Sequence, residues 1–528
     1  MSHHSHSTNS GTRQVRVPFE LSDQTLLHNQ CYVDGQWCSS LSGNFFTIED
    51  PGSGTKWATC PDCIPEDVDN VVQKAHVAFQ LYSRTNPRKR AQLLSTWHQL
   101  ILSARDDLAK ILVYETGKPL TEAFGEIDYG ASFTWWFAGE ADRIRGSTLV
   151  SAADNRRTVT IKQPIGVAAA LVPWNFPIVL VLRKVSAALA AGCTIVVKPS
   201  PETPMTALCL ADLATRAGFP KGAFNVLTTS LENTPAVAQS LCTHPLVKKV
   251  TFTGSTRVGK IIARLCADYL KKSTCELGGN CPLICFADAD LDLAIDQLFA
   301  LKWRHAGQAC VTANRVYVER AIYQDFIERI IKRTKTLVVG HGLDPNTTMG
   351  PVTVERGLDR LEDLVADAVG KGAKIVLGTG TRCHKDNIKD LTKGFFMKPT
   401  ILVDMTDEMI MTHEEVFGPV LGIYLFETEQ EITDRANATP YGLASYVFTE
   451  NTHRIWRMME NLEAGMIGLN VGNSSAAEAP FGGMKDSGWG KESGKDVAID
   501  EYLVSNRGVI PYPCLRRASS KTYYNRSM

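Results

Sequence analysis

The first third of the chain carries a helical repeat of apolar residues. Val68, Val71, Val72, Ala75 and Phe79 follow one another at intervals of one, three and four residues, which places them on one face of a helix. A similar spacing continues through residues 90–117. The pattern therefore predicts a run of helices over residues 65–145, each with one face toward a protein core.

Beyond residue 163 the pattern changes to short, continuous apolar runs that alternate with helical segments. The strand-like runs begin with GVAAALVP, TIVVKPS and FNVLT. Strands that alternate with helices are typical of right-handed crossovers and a parallel sheet with helices on both faces. Because the alternation returns over residues 280–485, the sequence predicts an α/β fold with a second α/β domain.

Two segments depart from this alternation. Residues 147–163 place the turn-forming SAADNRR before the alternating TVTIK, which predicts a hairpin. Residues 163–182 carry no charge and match the ~20 residues of a membrane span. Prolines and Asn175 interrupt that run, so we expect buried strands and a loop there rather than a membrane helix.

Length and charge restrict the class of protein. The chain has 528 residues, 44% of them hydrophobic, which suffices for about three domains of ~150 residues. Its 56 basic and 56 acidic residues give a formal charge of zero, which argues against electrostatic binding to nucleic acid or to an anionic membrane. We therefore expect a small-molecule substrate and neither a nucleic-acid nor a membrane partner.

The fourteen cysteines lack the dense, regular spacing of a small secreted scaffold, and the N-terminus lacks the apolar core of a signal peptide. We expect reduced thiols and a cytoplasmic protein. The Ser-rich N-terminus with Arg13 and Arg16 leaves a mitochondrial presequence as the alternative. Cys60 and Cys63 have zinc or redox spacing, but no second such pair exists, so no metal site is predicted.

Residues 250–260, VTFTGSTRVGK, have the pattern of a buried strand, a glycine turn and the start of a helix. Gly254 and Gly259 would let the backbone approach a ligand, and a helix N-terminus favours a pyrophosphate. The nucleotide P-loop pattern requires a hydroxyl where the chain has Ile261, which disfavours an ATPase. A purely structural turn remains the alternative.

Cys310 follows the small, flexible run Gly307-Gln308-Ala309. A free cysteine is most often inert packing, whereas an activated thiolate is a strong nucleophile. A cysteine hydrolase would pair Cys310 with a base such as His305, but the two are only five residues apart and no orienting acid accompanies them. The residue alone leaves both the catalytic and the packing interpretation open.

Several further motifs occur together and in order. They are LVPWNFP at 171–177, VVKPSPETP at 196–204, CELGGN at 275–280, GQAC at 307–310, EEVFGPV at 414–420 and APFGGMKDSGWGKESG at 479–494. This set resembles the aldehyde dehydrogenase superfamily over residues 30–510, and within it the fungal succinate-semialdehyde dehydrogenases. The resemblance implies oxidation of succinate semialdehyde to succinate with NAD or NADP. The alternatives are an aldehyde dehydrogenase of different specificity and a family member that binds without catalysis.

By that resemblance, Cys310 is the nucleophile, whose thiolate adds to the aldehyde to form a thiohemiacetal. The side-chain amide of Asn175 and the backbone N–H of Cys310 stabilise the oxyanion. Glu276 is the general base for hydrolysis of the thioester that follows. Lys184 matches a lysine that lies near this base and assists proton transfer.

The resemblance also implies cofactor-binding and substrate-binding residues. The cofactor-binding residues are Pro173, Trp174, Lys198, Ser200, Glu202, Gly254, Ser255, Gly259, Leu277, Glu415 and Phe417. NAD-preferring relatives often carry an acid directly after the serine of KPS, whereas this chain has Pro201 there, so NAD and NADP both remain open. Arg183, Arg304 and Ser475 are the donors expected to bind a distal carboxylate of the substrate.

The implied architecture is the aldehyde dehydrogenase fold with three parts. A Rossmann-like cofactor-binding domain comprises residues 30–146 and 164–277, and an α/β catalytic domain comprises residues 278–485. Residues 147–163 and 496–511 form a small β oligomerisation element, which implies a homodimer or homotetramer. Residues 1–29 form an N-terminal tail. Residues 512–528 form a basic C-terminal tail with a basophilic-kinase pattern at Ser519.

Overall fold

The computed structural model describes residues 17–383, 391–472 and 475–511, so His3, His4, His6 and Ser519 lie outside the described residues. Its α-helices, in chain order, are α1 (Pro65–Tyr82), α2 (Pro87–Ser103), α3 (Arg105–Thr116), α4 (Leu120–Ala141), α5 (Pro177–Ala191), α6 (Pro204–Arg216), α7 (Thr234–Thr243), α8 (Thr256–Ala267), α9 (Leu291–Trp303), α10 (Tyr323–Thr334), α11 (Glu355–Gly370), α12 (Ile410–His413), α13 (Glu429–Asn437) and α14 (Thr452–Asn461). No helix among these combines the length and the apolar character that a membrane span requires.

The strands found in the described residues belong to five sheets. In chain order they are β1 (Cys31–Val33), β2 (Gln36–Cys38), β3 (Phe45–Asp50), β4 (Thr55–Pro61), β5 (Ser147–Val150), β6 (Arg156–Pro164), β7 (Val167–Leu171), β8 (Thr194–Lys198), β9 (Phe224–Val226), β10 (Val247–Thr253), β11 (Lys272–Glu276), β12 (Cys281–Cys285), β13 (Ala313–Glu319), β14 (Lys374–Leu377), β15 (Thr400–Met405), β16 (Val420–Phe426), β17 (Tyr441–Gly442), β18 (Ala444–Phe448), β19 (Met466–Leu469), β20 (Met484–Lys485), β21 (Gly488–Trp489) and β22 (Leu503–Pro511).

The first large sheet has the order β2-β1-β9-β8-β7-β10-β11-β21. Its central strands β9, β8, β7, β10 and β11 are parallel, and helices α5 to α8 make the four connections between them. The residues of β7 and β8 are buried throughout, as expected for parallel strands covered on both faces. The order reverses between β7 and β10, which is where such a sheet forms a ligand crevice.

The second large sheet has the order β14-β15-β16-β13-β12-β18-β19 and is parallel except for β14. Separate apolar clusters, one including Leu283 and Val316 and the other Ile284 and Leu402, pack against it. Neighbouring residues such as Leu283 and Ile284 enter different clusters because successive strand side chains point to opposite faces. Both faces of this sheet are therefore covered.

A small antiparallel sheet, β22-β6-β5, extends from the rest of the fold. β22 pairs with β6 over nine residues, from Leu503 opposite Pro164 to Pro511 opposite Arg156. The residues of β5 and most of β22 are exposed. The strands β3 with β4 and β17 with β20 form two further two-stranded sheets.

The predicted helices over residues 65–145 and the predicted hairpin over 147–163 are confirmed. The expectation of buried strands and a loop over residues 163–182 holds for β7 and the segment that follows it but was wrong from Pro177 onward, where helix α5 begins. Proline suits the first position of a helix, where no N–H is needed, and Gly192 ends the same helix with a left-handed φ of 94°. The apolar run PIVLVL is therefore the start of a helix buried on all sides.

Candidate active site

A cavity of about 320 Å³ opens at the carboxyl ends of β7 and β10, where it also meets the loop before β13. It brings together many of the residues predicted from the sequence: Pro173, Trp174, Asn175, Arg183, Gly254, Ser255, Leu277, Arg304, Cys310, Glu415, Phe417 and Ser475. The predicted site residues outside its walls are Lys184, Lys198, Ser200, Glu202, Gly259 and Glu276. Segments more than 200 residues apart in the sequence thus meet at one site.

The loop that carries Cys310 has an unusual backbone. Directly after α9, His305, Ala306 and Gly307 all adopt positive φ values of 50°, 50° and 76°. Gln308 then anchors the loop, because its Nε2 donates to the carbonyl of His305 at 2.9 Å and its Oε1 accepts from the N–H of Thr353 at 2.9 Å. Helix α9 therefore stops abruptly, and Cys310 is held at the cavity wall.

The Cys310 thiol lies among groups of both charges. Burial raises its pKa to about 12, with Glu415 and Glu276 adding to the rise and Arg183 and Arg304 opposing it. A thiol with such a pKa is protonated at neutral pH. Nucleophilic attack by this thiol would require loss of its proton.

Asn175 sits beside this thiol loop at the cavity wall. One N–H of its side-chain amide donates to the carbonyl of Gln308 at 3.1 Å. The amide nitrogen has two N–H groups, so one donor is left to face a ligand. This is the donor that an oxyanion at the carbon attached to Cys310 would need.

His305 does not form a dyad with Cys310. Neither ring nitrogen of His305 has a hydrogen-bond partner among the described residues, and the ring packs edge-on against Trp174 and Phe176. Burial, together with Lys118 and Arg304, lowers the pKa of His305 well below its usual range. The neutral, unpaired imidazole gives no support to the cysteine hydrolase alternative.

Glu276 ends β11 immediately before the cavity residue Leu277. Its carboxyl oxygens are buried, and neither has a hydrogen-bond partner in the described structure. Burial and the charge of Glu492 hold the pKa of Glu276 well above its usual range. A Cβ at Gly482 would lie 2.8 Å from its Oε1, so the carboxyl rests against a surface that only glycine leaves open.

Lys184 belongs to a buried ion network that the sequence did not predict. Its ammonium group donates to Thr253 Oγ1 at 2.6 Å and to both carboxylate oxygens of Glu492 at 2.6 and 2.7 Å. Arg183 Nε donates to the same carboxylate at 3.0 Å, and so does the Thr251 hydroxyl, at 2.7 Å. Glu492 lies within the quoted WGKESG motif, so the only sequence signal was an acid in a motif that resembles the family.

Two lining residues of the cavity, Arg304 and Tyr129, carry buried polar atoms without hydrogen-bond partners in the described part of the chain. Arg304 lies 5.3 Å from the centre of the Phe176 ring, and its buried Nε has no hydrogen-bond partner in the described structure. The Tyr129 hydroxyl is also buried without a hydrogen-bond partner among the described residues, and burial raises its pKa, with Arg183 and the neighbouring Ser475 opposing the rise. Sequence reasoning missed Tyr129, which was hidden among the apolar positions of α4.

The residues expected to hold a nicotinamide cofactor line the remaining wall. Ser255 caps the N-terminus of α8, where unpaired backbone N–H groups suit a pyrophosphate. Glu415 is half-buried, desolvation raises its pKa to about 8, and its Oε1 accepts from the Gly279 N–H at 3.3 Å. Phe417 stands edge-on to Trp174 at 5.5 Å, which leaves a flat apolar surface beside the thiol. These features fit a bound dinucleotide.

Gly259 serves this site indirectly. A Cβ there would lie 2.3 Å from Leu277 Cδ2, so glycine lets α8 pack against the segment that lines the cavity. Lys198, Ser200 and Glu202 lie at the carboxyl end of β8 instead. Burial lowers the pKa of Lys198 to about 8, and Glu202 lines a second cavity of about 480 Å³.

The side chains of Cys60 and Cys63 contact different neighbours. Cys60 Sγ donates to Met205 Sδ at 3.5 Å, whereas Cys63 Sγ lies 3.4 Å from Cys31 Sγ. Within the described residues, no group of three His, Cys, Asp or Glu side chains has a metal-binding arrangement. The pair therefore contributes packing.

Residues 37–506 match the aldehyde dehydrogenase family. The chain is 43% identical to the 3-sulfolactaldehyde dehydrogenase of Pseudomonas putida, over 94% of this chain and 99% of the relative. It is 44% identical to the succinate-semialdehyde dehydrogenase [NADP(+)] of Saccharomyces cerevisiae, over 92% and 95%. The crystal structure of succinate-semialdehyde dehydrogenase from Burkholderia pseudomallei superposes with a TM-score of 0.90 at 40% identity, covering 93% and 100%. The chain therefore belongs to the aldehyde dehydrogenase family.

Proposed function

We propose that this aldehyde dehydrogenase oxidises an aldehyde with an anionic group at its far end, namely succinate semialdehyde, to the corresponding acid, succinate. The proposal rests on the position of Arg304 in the wall of the cavity. Its guanidinium lines the cavity of Cys310, and its Nε has no hydrogen-bond partner in the described structure. The carboxyl of Glu122 is near enough to interact with its charge, but no described residue forms an ion pair with Arg304. A partly buried cation without a direct ion pair can bind a substrate carboxylate.

Arg183, unlike Arg304, has a carboxylate partner. Its Nε is bound to Glu492, and its guanidinium carbon lies 4.0 Å from the centre of the Phe481 ring. Its charge is thus partly offset, before a substrate enters, by an acid that it shares with Lys184. We assign the main carboxylate contact to Arg304, with Arg183, Ser475 and the unpaired hydroxyl of Tyr129 as additional donors.

In the proposed reaction, the Cys310 thiolate adds to the aldehyde carbon. The Asn175 amide and the Cys310 backbone N–H donate to the oxygen that becomes negative in the thiohemiacetal. Ser255, Glu415 and Phe417 would hold NAD or NADP, which would accept the hydride as the thiohemiacetal becomes a thioester. Water then attacks this thioester, releases the acid and regenerates the thiol.

Glu276 is proposed to take the proton from that water. In its buried position against Gly482, burial and the charge of Glu492 hold the pKa of this carboxyl well above its usual range, and Arg183 and Lys184 oppose that rise. To act as a base, Glu276 has to be in its charged form, which these two cations favour.

The test compares succinate semialdehyde with its methyl ester, methyl 4-oxobutanoate, which has the same chain without the charge. The wild-type enzyme should show at least a tenfold higher kcat/KM for the anionic aldehyde, measured as reduced-cofactor absorbance with NAD and with NADP. Equal or better activity on the ester would contradict the proposal and favour the alternative, an aldehyde dehydrogenase of broader aliphatic or aromatic specificity.

A second candidate is 3-sulfolactaldehyde, which the Pseudomonas putida relative is named for. Its sulfonate would also suit Arg304, and its hydroxyl would suit the unpaired Tyr129 hydroxyl. Side-by-side kcat/KM values for the two anionic aldehydes decide between them. The same site geometry serves either substrate.

We also propose a homodimer or homotetramer assembled through the β22-β6-β5 sheet. Support comes from the apolar side chains that this sheet exposes, among them Leu149, Val150, Val509 and Ile510. The domain bounds given by the sequence fit the two large sheets, although β21 at residues 488–489 joins the first of them. Light scattering on the purified protein tests the assembly.

A cytoplasmic location remains part of the proposal. The buried thiols of Cys31, Cys60 and Cys63 are not joined by disulfides, which suits a reducing compartment. Fractionation of cells that express the full chain with a C-terminal tag tests the location, and recovery in mitochondria would contradict it.

A further inference from the structure

Helix α4 carries two acids on the face that lies against the active site. Glu122 and Glu126 are four residues apart, so both project from the same side of the helix. Oε2 of Glu122 accepts from the backbone N–H of His305 at 2.8 Å, in the loop that leads to Cys310. Oε1 of Glu126 accepts from the backbone N–H of Ile178 at 2.9 Å, where the N-terminus of α5 favours negative charge. One helix therefore holds the loop of the nucleophile and the first turn of α5.

Lys118, in the turn between α3 and α4, connects Glu126 to the loop of residues 172–176, which joins β7 to α5. Its ammonium group donates to Oε2 of Glu126 and, at 3.0 Å, to the backbone carbonyl of Asn175. The same nitrogen lies 4.3 Å from the centre of the Phe176 ring. This lysine therefore contacts an acid of α4, the peptide of Asn175 and the side chain that follows it.

The pair of Lys118 and Glu126 is enclosed, because the two side chains are only 1% and 0% exposed. Burial lowers the pKa of Lys118, and the charge of Glu126 opposes that fall. A buried ion pair is costly to form, and apolar side chains of similar volume would stabilise a fold at least as well. The contacts with Asn175 and Ile178 indicate what the pair does instead: it orients the backbone at these two residues.

Asn175 is held at both its main chain and its side chain. At the main chain, its carbonyl accepts from the Lys118 ammonium. At the side chain, one amide N–H donates to the carbonyl of Gln308 at 3.1 Å. Because the asparagine side chain is short, fixing the peptide also fixes the direction of the second amide N–H. That second N–H is the donor assigned to the oxyanion.

We infer that Lys118 is a positioning residue for the oxyanion donor, which it keeps aimed at the thiohemiacetal oxygen by holding the Asn175 carbonyl and, through Glu126, the first turn of α5. This inference rests on the proposed reaction, in which Asn175 donates to that oxygen, but not on the identity of the aldehyde. Lys118 is not among the residues that line the cavity, so it acts through Asn175. Its loss should slow the chemical step and leave cofactor binding almost unchanged.

The test measures hydride transfer in a single turnover. Stopped-flow absorbance of the first reduced cofactor, at saturating cofactor and aldehyde, gives the rate constant for the wild type, Lys118→Met, Asn175→Ala and the double variant. The aldehyde is whichever of succinate semialdehyde and its methyl ester the wild type oxidises faster. Lys118→Met should lower the rate constant at least tenfold and change the dissociation constant of the cofactor less than twofold. In the Asn175→Ala background, the same replacement should lower the rate constant less than twofold, because the donor that Lys118 positions is absent.

A second comparison removes the effect of a buried carboxylate without its counter-charge, which could unfold Lys118→Met. Glu126→Gln and the double variant Lys118→Met/Glu126→Gln both keep a side-chain oxygen that can accept from the Ile178 N–H. They differ only in the donor to the Asn175 carbonyl. The double variant should transfer hydride at least tenfold more slowly than Glu126→Gln.

Lys249→Met is the matched control. Lys249 is a buried lysine that pairs with Glu501, and neither residue lines the cavity of Cys310. The control should be less stable than the wild type, as Lys118→Met should be, because both variants break a buried pair. Its rate constant for hydride transfer should nevertheless stay within twofold of the wild-type value.

An effect of Lys118→Met that is equally large in the Asn175→Ala background would overturn the inference, because Lys118 would then act independently of the donor. A wild-type rate constant in Lys118→Met would overturn it as well. A wild-type rate constant in Asn175→Ala would contradict the donor role in the proposed reaction and the inference with it. A preference for the uncharged ester would contradict the proposed substrate alone and leave the role of Lys118 standing.

Discussion

The ammonium group of Lys184 donates to both carboxylate oxygens of Glu492, at 2.6 and 2.7 Å, where both side chains are almost completely buried. Arg183 contacts the same carboxylate. One acid therefore lies against two adjacent buried cations, and its charge also raises the pKa of Glu276. Stability and the acid–base balance of the site thus depend on one side chain.

Replacing Glu492 by Gln should change both properties. Loss of the carboxylate leaves two buried cations without a counter-charge, which costs about 3–5 kcal/mol of unfolding free energy. It also removes a negative charge that raises the pKa of Glu276, so that pKa should fall and the acid limb of thioester hydrolysis should move to lower pH. Urea unfolding and the pH dependence of single-turnover hydrolysis measure the two effects.

Glu501→Gln is the matched control, since Glu501 pairs with the buried Lys249 away from the cavity. This variant should be less stable than the wild type, but the acid limb of thioester hydrolysis should stay at the same pH. If both variants leave the limb in place, the pKa of Glu276 does not depend on Glu492.

Replacing Cys310 by Ala should abolish turnover and leave the fold intact. Only one sulfur is lost, and the loop geometry depends on His305, Gly307 and Gln308 instead. Circular dichroism and nucleotide binding should match the wild type. Cys281→Ala, which removes a buried thiol that donates to the Cys310 carbonyl, should keep most of the turnover. Dehydrogenase turnover by Cys310→Ala would exclude the thiohemiacetal.

Glu276→Gln should uncouple the two halves of the reaction. The first hydride transfer does not need the base in its hydrolytic role, whereas water attack on the thioester does. Stopped-flow absorbance should show one burst of reduced cofactor per site, followed by slow turnover. A steady rate equal to that of the wild type would assign the base to another residue.

The sequence predicted the helices, the hairpin and the alternation of strands and helices because each depends on local apolar spacing. It also placed Cys310, Asn175 and Glu415 in one site, because each belongs to a motif. It could not place Arg356 beside Glu202 or Lys184 against Glu492, since 154 and 308 residues separate these pairs. Contacts of that kind depend on the packing of α11 and the C-terminal segment, which no local pattern encodes.

Replacing Arg304 by Gln should impair recognition of the substrate carboxylate. A hydrogen bond to a charged group contributes about 1.5–3 kcal/mol, so KM for succinate semialdehyde should rise roughly 10- to 150-fold. The KM for methyl 4-oxobutanoate should change less than threefold. Tyr129→Phe should act in the same direction with a smaller, several-fold effect, because a neutral donor is lost. Equal changes for both aldehydes would show that Arg304 does not contact the carboxylate.

Lys302 should make stability depend on pH. The side chain is completely buried, and burial lowers its pKa from 10.5 to about 7. Between these values the unfolded chain binds the proton and the folded chain does not, so this residue's contribution to the unfolding free energy rises with pH and is least favourable at pH 7 and below. Lys302→Met should therefore stabilise the protein by a few kcal/mol at pH 7 and by much less at pH 10.

Thermal or urea unfolding of Lys302→Met and the wild type at both pH values measures this difference. Lys332→Met, at an exposed position of α10, is the control and should show no such dependence. A stabilisation that is the same at pH 7 and pH 10 would mean that Lys302 keeps its proton in the folded protein.

The position of Glu492 near the C-terminus also constrains how the protein is made. Translation delivers Arg183 and Lys184 more than 300 residues before the acid that compensates them. Domains generally begin to fold from the N-terminus during synthesis, yet helix α5 cannot bury its two cations stably until residue 492 has left the ribosome. The edge of β11 likewise stays unpaired until residues 488–489 have been synthesised. A ribosome-bound chain that stops before residue 480 should therefore hold its first sheet incomplete and be a preferred client of chaperones.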